Sequence, residues 1–199
     1  AQDAEQKERP NVLFLAVDDL NDWVGYLKGH PQAKTPNIDK LAGESFAFTR
    51  AYCSAPLCGP SRTSLMYGIY PHRSGSYFHH KTYSPKKLIS PKRLPLQLAF
   101  KKNGYHTLGS GKIYHNGDNS QYTRGWDTFV PARKDEDSKE ITYVFGEDAG
   151  RPLKDFRIGV SAADPDSNDL DGAIVNWSID QLKVKHKKPF FMAVGLVKP

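Results

Sequence analysis

The chain has 199 residues, 38% hydrophobic and 25% charged, a balance typical of a soluble globular domain, and no apolar stretch is long enough to cross a bilayer. Its net charge of +6 favours anionic partners, but it has no zinc-finger spacing, aromatic RNA-binding run or basic helix, which argues against nucleic acid. A solvated basic surface and an acidic substrate both remain open. Cys53 and Cys58 are too few for a disulfide scaffold or a zinc site, which leaves reaction chemistry as the role of interest for one of them.

The first part of the chain begins with a polar tail and continues with strand and helix patterns. Residues 1–10 are polar and lack the apolar segment of a signal peptide. The apolar run over 11–17 predicts a buried parallel strand, and the Thr-Pro pair at 35–36 opens a helix that we expect to run to Gly43. Residues 45–50 then predict another short strand.

The rest of the chain continues this alternation around two irregular stretches, 70–95 and 118–169. In chain order, the sequence predicts helices over 61–67, 96–103 and 171–187 and strands over 105–110 and 190–194. The apolar positions expected on or near one face of the last helix are Ile174, Trp177, Ile179 and Leu182. Strands that alternate with helices indicate an α/β domain around a mostly parallel sheet.

Two adjacent carboxylates, Asp18 and Asp19, follow the first predicted strand directly. This is the end of a strand at which open α/β sheets bind their ligands. Because adjacent carboxylates repel each other, the pair needs a cation between them or solvent around them. A hard cation such as Ca²⁺ or Mg²⁺ suits oxygen ligands, but a solvated turn is the commoner reason for such a pair when nothing else accompanies it.

The stretch Cys58-Gly-Pro-Ser-Arg62 places a cysteine at the start of the second predicted helix. The helix dipole and the first backbone N–H groups favour an anion at that point. Arg62, one turn further on, can hold an oxyanion with two parallel hydrogen bonds. A plain helix start, or a cysteine of low pKa without a role, would produce the same pattern.

The same stretch, continued by 63–68, resembles the signature of the type I, formylglycine-dependent sulfatases. The segments that resemble the sequence around that signature, in the family's order, are 11–19, 35–42, 48–52 and 68–75. Gly111-Lys-Ile-Tyr-His115 resembles the family's second signature, and its Lys-x-x-His spacing is closest to iduronate-2-sulfatase-like members. Residues 190–199 also resemble such members, in which a catalytic histidine comes just after the Lys-Pro pair.

The resemblance implies an alkaline-phosphatase-like α/β sandwich, with a mostly parallel central sheet covered by helices on both faces. It implies that a maturation enzyme oxidises Cys58 to formylglycine, and that Ca²⁺ is bound by Asp18, Asp19 and residue 58. One hydroxyl of the hydrated aldehyde would attack sulfur and displace the alcohol, and the other would then expel sulfate as the aldehyde re-forms. The implied catalytic residues are Cys58, Arg62, Lys112 and His115, and the implied substrate-binding residues are Lys112, His115 and Lys198.

The function implied is hydrolysis of sulfate esters of a sulfated sugar or polysaccharide by an exported enzyme, secreted, periplasmic or lysosomal. We expect 11–199 to be the N-terminal part of the catalytic domain, incomplete at its C-terminal end, with strand 190–194 left uncovered. The missing metal ligands and histidine would come from a C-terminal segment or a second chain. The alternatives are a phosphonate or phosphate ester hydrolase of the same superfamily and a non-catalytic relative that binds sulfated glycans. No nucleic acid and no membrane span is expected.

Overall fold

The computed structural model describes residues 9–78, 93–115, 124–130 and 170–197, with the side chain of residue 170 excepted. Within these residues one sheet of four strands has the order β1-β4-β2-β3, and every neighbouring pair is parallel. The strands are β1 (Val12–Val17), β2 (His106–Gly111), β3 (Thr128–Val130) and β4 (Phe190–Leu196). Because the strands are parallel, their carboxyl ends share one edge of the sheet, where a ligand site is expected.

Helices fill the connections between the strands. Those of the described residues are α1 (Pro36–Gly43), α2 (Cys58–Tyr67), α3 (Pro71–Ser74), α4 (Leu96–Lys102) and α5 (Leu170–Lys183), with a 3-10 turn at Gly25–Leu27 before α1. The predicted helices are therefore confirmed, although α2 begins three residues earlier and α5 ends four residues earlier than expected. Gly68 ends α2 at a φ of 61°, a left-handed conformation that glycine adopts without steric cost. None of the described helices is long and apolar enough to cross a membrane.

The strand β4 lies between β1 and β2, and its first six residues are all buried. On one face, Phe191 and Ala193 pack with residues of α2 and with Trp126. On the other face, alternate β4 side chains pack against Ile174 of α5. The expectation that this strand would be left uncovered is wrong, because β4 pairs with both β1 and β2 and so lies inside the sheet.

One edge of the described sheet is β1, and the other is β3. Leu13 and Leu15 are 45% and 57% exposed, and they share a sheet face with Met192 and Val194, to which they are paired in register. Helix α5 covers that face at β4 and β2. The first strand is therefore a parallel strand as predicted, but one of its faces is only partly covered by the described residues.

The strand expected over 45–50 is absent, which makes that prediction wrong. Phe46 and Phe48 alternate as in a strand, yet they are 96% and 75% exposed and have no strand beside them among the described residues. An alternating pattern forms a strand only where a neighbour accepts its backbone hydrogen bonds. Conversely, β3 lies within 118–169, a stretch that was predicted from the sequence to be irregular. It was not predicted because a strand of three residues is too short to show an alternating pattern.

The prediction of which residues form the apolar face of α5 is also partly wrong. Ile174 is buried as expected, and Trp177 packs at the border of the same cluster. The next position on the buried face, one turn on, is Ser178, whereas Ile179 and Leu182 are 44% and 45% exposed. The helix is thus rotated so that its second half turns a polar side chain to the sheet and leaves apolar ones outside.

Candidate active site

The site begins at the carboxyl end of β1, where the two adjacent aspartates lie in different surroundings. The Asp18 N–H donates to the Leu196 carbonyl at 3.2 Å, which extends the β1–β4 pairing by one residue and holds Asp18 in place. Asp18 is 6% exposed. Asp19 is exposed and has a φ of 54°, so the chain turns sharply between the two residues.

Helix α2 begins beside this strand end with Cys58 as its first residue. Leu57 precedes it in an extended conformation and offers no side-chain cap, and the first turn of the helix contains no acidic residue. The positive end of the helix dipole is therefore not neutralised by an acid of the helix itself, which favours binding of an anion there.

One buried carboxylate connects the helix to the two strands. Arg62 is 8% exposed, and its Nη2 donates to Asp18 Oδ1 at 2.7 Å. Its Nη1 donates to the backbone carbonyl of Lys112, and the Lys112 ammonium donates to Asp18 Oδ2. Both oxygens of Asp18 are thus bound by cationic groups, one from α2 and one from the turn after β2.

These contacts control the protonation of Asp18. Burial by itself raises the pKa of this carboxyl, but the hydrogen bonds and positive charges of Lys112 and Arg62 outweigh burial, and the pKa lies below its ordinary value. Asp18 is therefore ionised at neutral pH and presents a negative charge at the strand end.

A second contact joins the two signature segments. The Cys58 sulfur lies 3.3 Å from Nδ1 of His115, although the two residues are 57 positions apart in the chain. Cys58 and Arg62 lie one turn apart on α2, and Lys112 and His115 lie on one turn after β2. The nucleophile candidate is thus close to an imidazole that can hold or move a proton, and each of the two segments also carries a cationic side chain.

Two glycines allow the ends of β2 and β4 to approach each other closely. The Lys112 N–H donates to the Gly195 carbonyl at 2.8 Å. A Cβ built on Gly111, whose φ is 76°, would lie 2.1 Å from the Gly195 carbonyl oxygen, and a Cβ on Gly195 would lie 2.1 Å from the Lys112 carbonyl oxygen. Gly195 was not identified from the sequence as important for the site. The pattern that could have indicated it is a single glycine in a strand of larger apolar residues, which often marks a close approach of another backbone.

The structure connects five of the predicted site residues in two sets of contacts, one around Asp18 and one between Cys58 and His115. Those in contact are Asp18, Cys58, Arg62, Lys112 and His115. Asp19 is exposed beside them, and Lys198 lies outside the described residues. Within the part of the chain that the structure describes, no three His, Cys, Asp or Glu side chains gather around one point. Asp18 and Asp19 fit a hard cation chemically, but they provide only part of its oxygen ligands.

Comparison with known proteins identifies the family to which a chain with this site belongs. Residues 10–199 match the protein-family model described as Sulfatase. A sulfatase of Formosa agariphila is 34% identical over 202 residues, which cover 98% of this chain and 40% of that protein. Mouse iduronate 2-sulfatase is 30% identical over 209 residues, which cover 100% of this chain and 36% of that protein. The resemblance to sulfatases, and among them to iduronate-2-sulfatase-like members, is confirmed.

Solved structures confirm the fold class. Phosphonate monoester hydrolase of Agrobacterium radiobacter superposes with a TM-score of 0.70 at 20% identity, over 96% of this chain and 41% of that one. The alkaline-phosphatase-like α/β fold is therefore confirmed. The chain spans roughly two fifths of the length of the proteins it matches.

Proposed function

Because the chain belongs to the sulfatase family, we propose that the full-length protein hydrolyses sulfate esters with a formylglycine formed from Cys58. The observation that carries the proposal is the contact between the two signature segments, with the Cys58 sulfur 3.3 Å from His115 Nδ1. A helix start alone would not need an imidazole there. A sulfate-ester site needs both a nucleophile and a group that handles protons.

Each residue of the site has a role that its position supports. The hydrated formylglycine supplies a hydroxyl nucleophile where the cysteine sulfur now lies. The first turn of α2 directs backbone dipoles towards the bound sulfate, and Arg62 and Lys112 supply positive charge to its oxygens. His115 binds an oxygen of the substrate or gives a proton to the leaving alcohol.

A divalent cation, Ca²⁺, completes the proposed chemistry. Asp18 and Asp19 would hold it together with residue 58 and with ligands outside the described residues, since Ca²⁺ takes about six to eight oxygens. The position of the two adjacent carboxylates at the ligand-binding end of a parallel strand supports this assignment. When bound, the cation supplies charge that stabilises oxygen anions at residue 58 and on the sulfate.

The proposed substrate is a sulfated sugar or polysaccharide. Iduronate 2-sulfatase is among the relatives that match along the whole chain, and the net charge of +6 complements a polyanion. Family membership also supports the proposal that the protein is exported and is secreted, periplasmic or lysosomal. It likewise supports the proposal that a separate maturation enzyme oxidises Cys58.

We also propose that the rest of the sulfatase covers β1 and contributes the missing ligands. About three fifths of the length of each relative lies outside the match. Leu13 and Leu15 expose an apolar strand face that such an additional part of the protein would cover. Lys198 keeps its proposed role in binding the substrate.

The test uses the full-length protein produced together with a maturation enzyme. We expect release of inorganic sulfate from at least one member of a panel of sulfated oligosaccharides, and none from Cys58→Ala. Faster turnover of an aryl phosphonate than of any sulfate ester would favour the phosphonate hydrolase alternative. Binding of the oligosaccharides without sulfate release would favour the non-catalytic alternative, and either result would contradict the proposal.

A further inference from the structure

The loop that follows the two aspartates carries an exposed aromatic pair that the catalytic proposal does not use. Trp23 is 55% exposed, and its ring centroid lies 4.8 Å from that of His30, with the two ring planes inclined at 38°. An indole with this much of its apolar surface in water gains free energy when another surface covers it. The pair is therefore a candidate contact surface.

The orientation of His30, for which the sequence indicates no partner, gives this surface a polar edge. The backbone N–H of Gln32 donates to His30 Nδ1 at 3.2 Å. Since Nδ1 accepts, the neutral imidazole carries its proton on Nε2, which makes that nitrogen a donor. The pair thus offers an apolar indole face and a hydrogen-bond donor next to it.

The base of the loop is fixed by burial and by hydrogen bonds to α1 and its N-cap. Val24, next to Trp23, is 3% exposed. The Gly25 N–H donates to Thr35 Oγ1 at 2.8 Å, and the Tyr26 N–H donates to Asp39 Oδ1 at 2.8 Å. Because these contacts already order the loop, a ligand that binds the pair needs little further ordering of the protein.

The position of the pair relates it to the site. Trp23 comes five residues after Asp18, so the two Cα atoms are at most about 18 Å apart. The loop leaves the sheet at the edge formed by the carboxyl ends of the strands, where Cys58 and Arg62 also lie. A substrate longer than one sugar unit that is held at Cys58 can therefore extend towards the pair.

From this arrangement we propose that Trp23 and His30 bind a sugar unit of the chain that extends from the one that carries the scissile sulfate. The inference rests on the proposed function, because it takes a sulfated oligosaccharide as the substrate. A pyranose ring has an apolar C–H face that packs on an indole and a rim of hydroxyl or sulfate oxygens that accepts a hydrogen bond from Nε2.

Calorimetric binding with full-length protein in the Cys58→Ala background tests the inference independently of turnover. The probes are sulfated tetrasaccharides from heparin, chondroitin sulfate and carrageenan, and inorganic sulfate. We expect Trp23→Ala to weaken the tightest tetrasaccharide about tenfold, the magnitude of one aromatic contact, and to leave inorganic sulfate unchanged. Trp23→Phe should keep most of the affinity, and His30→Ala should weaken the tetrasaccharide to a smaller extent.

A matched control is Tyr70→Ala, which removes another exposed ring stacked on a histidine. Tyr70 is 63% exposed and lies 5.7 Å from the His72 ring, beyond the far end of α2 from Cys58. This variant should leave tetrasaccharide binding unchanged. Equal affinities of the Trp23→Ala and parent proteins for every tetrasaccharide, or no binding of any, would overturn the inference. Binding through Trp23 without sulfate release by the wild type would overturn the proposed function and leave only the sugar-binding role of the pair standing.

Discussion

Replacement of Gly195 by alanine should damage the site without touching any proposed catalytic side chain. The added Cβ would lie 2.1 Å from the Lys112 carbonyl oxygen and 2.3 Å from its carbonyl carbon, whereas real Cβ atoms essentially never approach closer than 3.0 Å. The turn after β2 therefore has to move by about 0.9 Å or more. That carbonyl accepts a hydrogen bond from Arg62, and the side chain of the same lysine binds Asp18.

The expected consequence has two parts. Steric overpacking of this kind costs about 1 to 3 kcal/mol of unfolding free energy. Misplacement of a catalytic group by about 1 Å lowers the rate about 100-fold. We therefore expect Gly195→Ala to remain folded at room temperature, with a lower melting temperature and a kcat about two orders of magnitude below that of the wild type.

The assay compares kcat for sulfate release and thermal unfolding in the full-length protein. Gly43→Ala is the matched control, because a Cβ at Gly43 would meet no atom within 4 Å. It should leave kcat unchanged and should not lower the melting temperature, since alanine has a higher helix propensity than glycine. A Gly195→Ala protein with the kcat and melting temperature of the wild type would show that the close approach of β4 to Lys112 does not position the site.

Two further substitutions test the charges of the fold. Asp18→Asn should weaken Ca²⁺ binding in calorimetric titration and lower kcat/KM together, and full activity in the presence of a chelator would contradict the metal assignment. Asp127→Ala should lower the unfolding free energy in urea by about 2 kcal/mol near neutral pH, because it leaves the buried Thr107 N–H, now 2.9 Å from Asp127 Oδ2, without its acceptor. Burial raises the pKa of Asp127, but the hydrogen bonds from Lys101 and Thr107 outweigh burial, so the pKa in the folded protein lies below its ordinary value. The ionised carboxylate therefore stabilises the fold fully above the unfolded pKa, and this stabilisation is lost as the pH falls through the folded pKa. The difference from the wild type should therefore shrink in acid, and a difference that is constant with pH would contradict this account.

The sequence predicts the elements of the site better than the contacts between them. The apolar run before Asp18 and the Gly-Pro pair after Cys58 define a strand end and a helix start from local chemistry alone. The contact of Cys58 with His115 joins segments 57 positions apart, and no hydrophobic period carries that information. Here only the resemblance to a family identified the second segment.

The wrong predictions have a shared physical cause. The alternation of Phe46 and Phe48 favours a strand, but a strand also needs a neighbour, which lies outside what local pattern can specify. Likewise, the choice between Ser178 and Ile179 on the buried face of α5 depends on how the helix packs against β4 and β2. The pairing of Trp23 with His30 was not predicted because it depends on the path of an irregular loop.

The central claim is that residue 58, as formylglycine, is the nucleophile for sulfate-ester hydrolysis. The most direct measurement uses batches of full-length protein made with different amounts of the maturation enzyme. In each batch, the fraction of residue 58 converted is determined by peptide mass spectrometry and compared with the rate of sulfate release per molecule. The rate of sulfate release should be proportional to the converted fraction and should be zero in protein that contains no formylglycine. A batch that contains only unmodified Cys58 and releases sulfate at the full rate would contradict this claim.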